Sequence, residues 1–190
     1  RIGEKVSELK KDFNLTGVGI STAGQVDHEK GEIIFATDNL PKYTGTKLAE
    51  LVVNGTGLLC SVENDVNAAA LGEMWKGAAK NVKTFVCLTL GTGIGGAIVI
   101  DGKLVRGVGG SAGELGHLIT NFDGEPCTCG MKGCFERYSS TLALIRSYIR
   151  EKSKKGENID DISGEELMRR VYSGEPEAND VYNRFLDQVV

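Results

Sequence analysis

Residues 84–105 read TFVCLTLGTGIGGAIVIDGKLV, and the class of the chain turns on how this stretch folds. Residues 84–90 carry the β-branched and aromatic content of a strand, residues 91–96 are a glycine turn, and residues 97–100 are a second strand. Asp101-Gly102 is a hairpin signal, with residues 103–105 returning. Gly91, Gly93 and Gly96 satisfy G-x-G-x-x-G, and the acidic Glu114 lies downstream. That fingerprint binds a dinucleotide only when a helix starts at the third glycine, and here a strand feeding a hairpin starts instead. No Lys-Ser or Lys-Thr pair follows to make a Walker loop. Beside a plain tight hairpin, which needs only one or two glycines, the arrangement left is a β-turn-β phosphate loop, in which glycines let backbone N–H groups approach a phosphate and the Thr92 hydroxyl adds a donor.

Toward the N-terminus, Val6, Leu9 and Phe13 have helical spacing, and residues 15–21 read as a short buried strand ending in Thr22-Ala23-Gly24. Residues 32–36 form another strand, 46–53 a helix, and 57–62 a third strand that runs into Glu63-Asn64-Asp65. A helix over 66–76 follows, with Asn64 or Asp65 as its N-cap. A carboxylate between strand and helix can accept a hydroxyl proton, although such a residue also serves simply as a cap. Residues 80–83 read as a hinge into a second unit. Toward the C-terminus, residues 107–116 and 121–133 read as irregular loops, followed by helices over 138–152, 164–172 and 175 to the end. The polar stretch 152–161 is a solvated connection. The pattern is α/β, divided into residues 1–80 and 81–190.

His117 is followed, after nine residues, by Cys127-Thr128-Cys129-Gly130-Met131-Lys132-Gly133-Cys134. One imidazole and three thiols, with glycines that let the loop wrap an ion, are the ligand set of a closed tetrahedral zinc site. Three of the chain's five cysteines fall within eight positions, which in a reducing compartment indicates metal rather than disulfide. Four protein ligands leave no open position for water, so the expected zinc is structural. Cys60 and Cys87 lie in apolar strand-like runs and read as core; His28, between Asp27 and Glu29, reads as surface. Glu136, two residues past Cys134, is expected near His117 and Glu114, a grouping of carboxylates suited to sugar hydroxyls.

The bulk composition narrows the function further. With 41% hydrophobic and 25% charged residues over 190, the chain can build a core. A formal charge of −4 and no basic stripe argue against binding nucleic acid through these residues. No apolar run reaches the roughly 18 residues of a membrane span, and no secretory pattern opens the chain. A cytoplasmic location is therefore expected.

Glu63-Asn64-Asp65-Val66-Asn67-Ala68-Ala69, Leu90-Gly91-Thr92-Gly93-Ile94-Gly95-Gly96, Gly113-Glu114-Leu115-Gly116-His117-Leu118 and Cys127-x-Cys129-Gly130-x-x-Gly133-Cys134-x-Glu136 together resemble the ROK family of sugar kinases and sugar-responsive repressors. The resemblance implies the actin-like ATPase architecture, two ribonuclease-H-like α/β domains that close on a sugar and ATP, and it looks most like the glucokinase-type members. It makes Asp65 the general base, and Asn64, Glu114, His117, Glu136 and Asn39 sugar contacts. Gly91, Thr92, Gly93, Gly95 and Gly96 would hold the phosphates of ATP with its Mg2+, and His117, Cys127, Cys129 and Cys134 a structural Zn2+. The family's Asp-x-Gly-Gly-Thr phosphate turn and its later glycine-rich adenine segment are absent from these residues, and Ala23-Gly24 stands where a Pro-Gly is usual. The expectation is a portion of a longer hexose or N-acetylhexosamine kinase, truncated at both ends and inactive by itself. A sugar-sensing repressor with its DNA-binding segment elsewhere is the alternative, and a zinc-stabilised binding module a third. The resemblance also allows a homodimer through the C-terminal helices.

Overall fold

A computed structural model describes residues 1–37 and 40–189, which fall into two compact units: residues 1–87 with 97–113, and residues 88–96 with 114 onward. The first unit opens with α1 (Ile2–Leu9) and β1 (Gly17–Thr22), followed by the hairpin β2 (Gln25–Asp27) and β3 (Glu32–Phe35), then α2 (Leu48–Thr56), β4 (Leu59–Asn64) and α3 (Asp65–Lys76). Strands β1 and β4 pair in parallel, with Gly17 opposite Leu59 and Thr22 opposite Asn64. Their polar C-terminal ends therefore finish side by side, the edge at which open α/β sheets place ligands. Val26, Ile33 and Val62 form the buried centre of this unit, with Ile20, Tyr43, Leu48 and Ala49 packed around them. Gly57 ends α2 in the left-handed conformation, φ 69°, which releases the chain into β4.

The remaining strands are β5 (Phe85–Leu90), β6 (Ile94–Ile100) and β7 (Lys103–Val105), in the order β5-β6-β7. Asp101 and Gly102 both have positive φ, 50° and 75°, the tight hairpin geometry that an Asp-Gly pair favours. The glycine turn is shorter than its sequence suggests. Strand β6 begins at Ile94, so Gly95 and Gly96 are strand residues and only 91–93 make the turn, because Ile94 is buried and anchors the ladder three residues early.

The second unit contains a 3-10 turn (Leu115–His117), α4 (Glu136–Ser139), α5 (Thr141–Lys154), α6 (Gly164–Tyr172) and α7 (Pro176–Val189). Two expectations are corrected here: the loop 107–116 ends in a helical turn, and the helix expected over 138–152 is two helices. Ser140 separates them, since it leaves the helical region at ψ 164° and its side chain accepts from Ala143 N to cap α5. Ser163 caps α6 in the same way through Glu166 N, the serine and glutamate being three residues apart as in a capping box. Leu144, Tyr148, Leu167, Val171, Ala178 and Val181 form the helical core. At its margin the Tyr148 hydroxyl donates to Glu175 Oε1 at 2.6 Å and accepts from Arg170 Nη1 at 2.8 Å, while Lys152 Nζ lies 3.2 Å from Glu175. No helix among the described residues is long and apolar enough to cross a membrane.

Candidate functional site

The corner between β4 and α3 answers the question the sequence left open. Asn64 is the N-cap: its Oδ1 accepts from Val66 N at 2.9 Å and Asn67 N at 3.1 Å, and its Nδ2 donates to Gly24 O at 3.1 Å. Asp65 is the first helical residue, exposed, and among the described residues its carboxylate accepts only from the adjacent Val66 N, at 3.0 Å. No ion pair among the described residues involves it. The capping work thus falls to Asn64 rather than Asp65.

Two residues that the sequence reading assigned no role hold this corner. Glu63 accepts Asn64 N at 3.0 Å and Asn67 Nδ2 at 3.1 Å on Oε1, and Arg106 Nε and Nη2 at 2.9 and 2.6 Å on Oε2. The pair is mostly shielded, the side chains being 12% and 30% exposed for Glu63 and Arg106. Arg106 also opens the glycine-rich loop, which closes through Ala112 N donating to Arg106 O at 3.0 Å. The one signal in the sequence was its isolation: it is the only Lys or Arg between Lys103 and Lys132.

In the second unit, Glu114 is exposed and its carbonyl accepts from His117 N at 3.0 Å, which sets the 3-10 turn. Gly116 between them is buried against the carbonyl of Ile94 at the start of β6, so closely that a Cβ there would overlap the oxygen. His117, Cys127, Cys129 and Cys134 then converge, their ligand atoms all lying within 4.8 Å of one another. Cys127 Sγ is 3.6 Å from His117 Nδ1, and Cys129 Sγ is 3.5 Å from Cys134 Sγ. Zinc about 2.3 Å from sulfur and about 2.0 Å from nitrogen, at tetrahedral angles, puts S···S edges at about 3.8 Å and S···N edges at about 3.5 Å. Donor set and spacing both fit the ion. Burial pushes the Cys134 thiol up to about 12 and raises that of Cys127. Desolvation acts on Cys129 in the same sense but is outweighed by the Met131 N–H and the neighbouring thiols, so its pKa is lowered.

The loop that carries the cysteines has its own scaffold. Cys127 N donates to Met131 O at 2.8 Å, Gly133 N to Glu125 O at 2.9 Å, and Phe135 N to Leu118 O at 2.8 Å. Glu125 is fastened from outside, its N–H donating to Tyr138 Oη at 2.7 Å and its carboxylate accepting from Arg150 at 2.9 Å; that guanidinium holds the Glu125 carboxyl below its ordinary range.

Glu136 starts α4 beside this cluster, with Oε1 3.3 Å from Cys127 Sγ. Its other oxygen faces the glycine turn: a Cβ built on Gly93 would lie 2.8 Å from Oε2. Within the turn, Gly91 N donates to Gly93 O at 3.0 Å, and Gly91 O accepts from Thr141 N at 2.8 Å. Among the described residues neither Thr92 nor Gly93 finds an acceptor for its N–H. Of the sequence-derived candidates, Asn64 and Asp65 lie in the first unit. Gly91, Thr92, Gly93, Gly95, Gly96, Glu114, His117, Glu136 and the three cysteines lie in the second. Asn39 falls outside the described residues.

Known proteins are similar to most of the chain. A glucokinase of Thermotoga maritima is 40% identical over 155 residues, 82% of this chain and 48% of the relative. A xylose repressor of Caldicellulosiruptor bescii is 36% identical over 168 residues, 84% of this chain and 41% of the relative. A solved ROK family glucokinase from Streptomyces griseus, in complex with glucose and AMPPNP, superposes with a TM-score of 0.83 at 34% identity, covering 98% of this chain and 63% of that one. The chain thus spans about half the length of the curated relatives it matches, and it has the actin-like sugar kinase fold. With residues 1–189 matching the sequence model of the ROK family, the chain belongs to that family.

Proposed function

We propose that the protein carrying these residues is a cytoplasmic kinase that uses ATP and Mg2+ to phosphorylate a hydroxyl of a hexose or N-acetylhexosamine. The observation that carries the reading is the exposed carboxylate of Asp65, one residue past the C-terminal end of a parallel strand and relieved of capping by Asn64. In this assignment Asp65 takes the proton of the sugar hydroxyl as its oxygen attacks the γ-phosphoryl group. The Thr92 and Gly93 amides and the Thr92 hydroxyl meet the phosphates, and Gly91, Gly95 and Gly96 give the backbone its close approach. Glu114, His117 and Glu136 accept or donate to sugar hydroxyls, with Asn64 and Asn39 as further contacts. Zinc, when bound by His117, Cys127, Cys129 and Cys134, supplies rigidity rather than chemistry. Coordination through Nδ1, the nitrogen facing Cys127, leaves His117 Nε2 directed elsewhere and its ring orientation held. A homodimer through the C-terminal helices belongs to the same proposal.

The test is sugar-dependent ADP release by the full-length protein over a panel of hexoses and N-acetylhexosamines, run beside Asp65→Asn. Turnover that the variant loses by about 10²-fold or more, with sugar binding retained, is the expected outcome. Equal turnover by the variant would remove Asp65 from the role of base. A second reading, a sugar-responsive repressor, is favoured by the 36% identity to a xylose repressor over a similar share of the chain. Sugar binding without ADP release, together with sugar-sensitive DNA binding by the full-length protein, would select it.

A further inference from the structure

We propose that Glu63 and Arg106 are positioning residues for the phosphoryl-transfer base: their ion pair fixes the β4–α3 corner from which Asp65 projects. The inference rests on the kinase reading above. The Glu63 carboxylate accepts four hydrogen bonds, and they divide by oxygen. Oε1 takes the backbone N–H of Asn64 and the side-chain amide of Asn67, one on each side of Asp65 in sequence. Oε2 takes the two guanidinium hydrogen bonds of Arg106, 43 residues away in sequence. Among the described residues the Asp65 carboxylate accepts one hydrogen bond, from the adjacent Val66 N, so no long-range contact of its own sets where the carboxylate stands. Its position is inherited from the residues on either side.

Asn67 shows how strictly the corner is specified. It is 4% exposed, and Glu63 fixes its amide orientation, since a flip would set oxygen against carboxylate; its Oδ1 is left buried with no partner among the described residues. Tolerating an unsatisfied buried acceptor is costly, and the contact that imposes it is the one to Glu63. Arg106 places its guanidinium against the mostly shielded Glu63 carboxylate, and it ties the corner to the start of the 106–113 loop, which also packs Gly110 against Val26 O of β2. A displacement of about 1 Å at a reacting group costs on the order of 10²-fold in rate, so the loss of such a brace is read in kcat.

The experiment uses the full-length protein with Glu63→Gln, Arg106→Met, Arg106→Lys and the double variant Glu63→Gln/Arg106→Met, beside wild type and Asp65→Asn. Each is assayed for kcat, sugar KM and melting temperature. The expected result is a kcat about 10- to 100-fold below wild type for Glu63→Gln and Arg106→Met, with sugar KM within about threefold and folding retained. Arg106→Lys should recover part of the loss, and the double variant should be little worse than either single change, because both remove the same interaction. If Arg106→Met does not fold, Glu63→Gln and Arg106→Lys carry the same comparison. Full kcat in these variants, or losses that multiply in the double variant, would overturn the positioning role while Asp65→Asn still abolishes turnover. Wild type that binds sugar but releases no ADP would instead remove the kinase reading, and this inference with it.

Discussion

Replacing Cys134 with serine removes one thiol from the candidate zinc site, whose four potential ligand atoms lie within 4.8 Å of one another. The separations of 3.5 Å between Cys129 and Cys134 and 3.6 Å between Cys127 and His117 stand within about 0.3 Å of tetrahedral zinc edges. Little rearrangement is therefore needed to close around an ion, and the proposed binding energy goes into stability. At free zinc 100-fold above Kd the ion contributes about 2.7 kcal/mol, which for a chain of this size is a melting shift of roughly 5–11 °C. The assay is zinc content by mass spectrometry of the purified full-length protein, with melting curves before and after chelation. Wild type should carry about one zinc per chain in this site and lose that increment on chelation. Cys134→Ser should melt low at the outset and respond little to chelator. Cys60→Ser, altering a half-buried strand residue far outside the ligand set in sequence, should keep the metal. Equal zinc content in wild type and Cys134→Ser, with the same response to chelation, would refute the ligand assignment.

Gly93→Ala places a methyl group 2.8 Å from Glu136 Oε2 and should push that carboxylate aside. If Glu136 holds a sugar hydroxyl, sugar KM rises roughly tenfold, the equivalent of about 1.4 kcal/mol of hydrogen bonding; an unchanged sugar KM would separate Glu136 from the sugar. Asn64→Ala should cost about 1 kcal/mol through loss of the α3 cap, while Asn64→Asp, which keeps the acceptor, should lose less; denaturant titration that ranks them in the opposite order would contradict the cap. Tyr148→Phe deletes two hydrogen bonds to charged partners in a fully buried side chain and should cost about 2–3 kcal/mol in urea unfolding at neutral pH. For Glu175, burial works to raise the carboxyl pKa, but the Tyr148 hydroxyl and Lys152 prevail, holding it below its ordinary 4.5. A depressed carboxylate contributes stability above its unfolded pKa and loses it as pH falls through the folded value, so the gap between wild type and Tyr148→Phe should narrow below about pH 4.5. A gap that widens in acid would refute that sign.

Some features were legible because they depend on neighbours in sequence. Asp101-Gly102 makes its hairpin from local backbone preference, residues 59–76 show strand, polar corner and helix in one run, and an imidazole and three thiols within eighteen positions can meet whatever surrounds them. The short pair β2 and β3 was half missed because three residues at Gln25–Asp27 carry too little pattern to distinguish a strand from a turn. The break at Ser140 was missed because helical periodicity continues across it; only the capping hydrogen bond to Ala143 N marks the restart.

Residue type and short spacing set the chemistry available: a carboxylate after a strand, a glycine turn between strands, and an imidazole with three thiols. Which of Asn64 and Asp65 caps the helix was a tertiary decision, taken by the bond from Asn64 Nδ2 to Gly24 O across 40 residues. The length of the glycine turn was another, since burial of Ile94 draws Gly95 and Gly96 into β6. The brace between Glu63 and Arg106 had no local signature at all, because an ion pair spanning 43 residues exists only once the strand and the loop have been folded against each other.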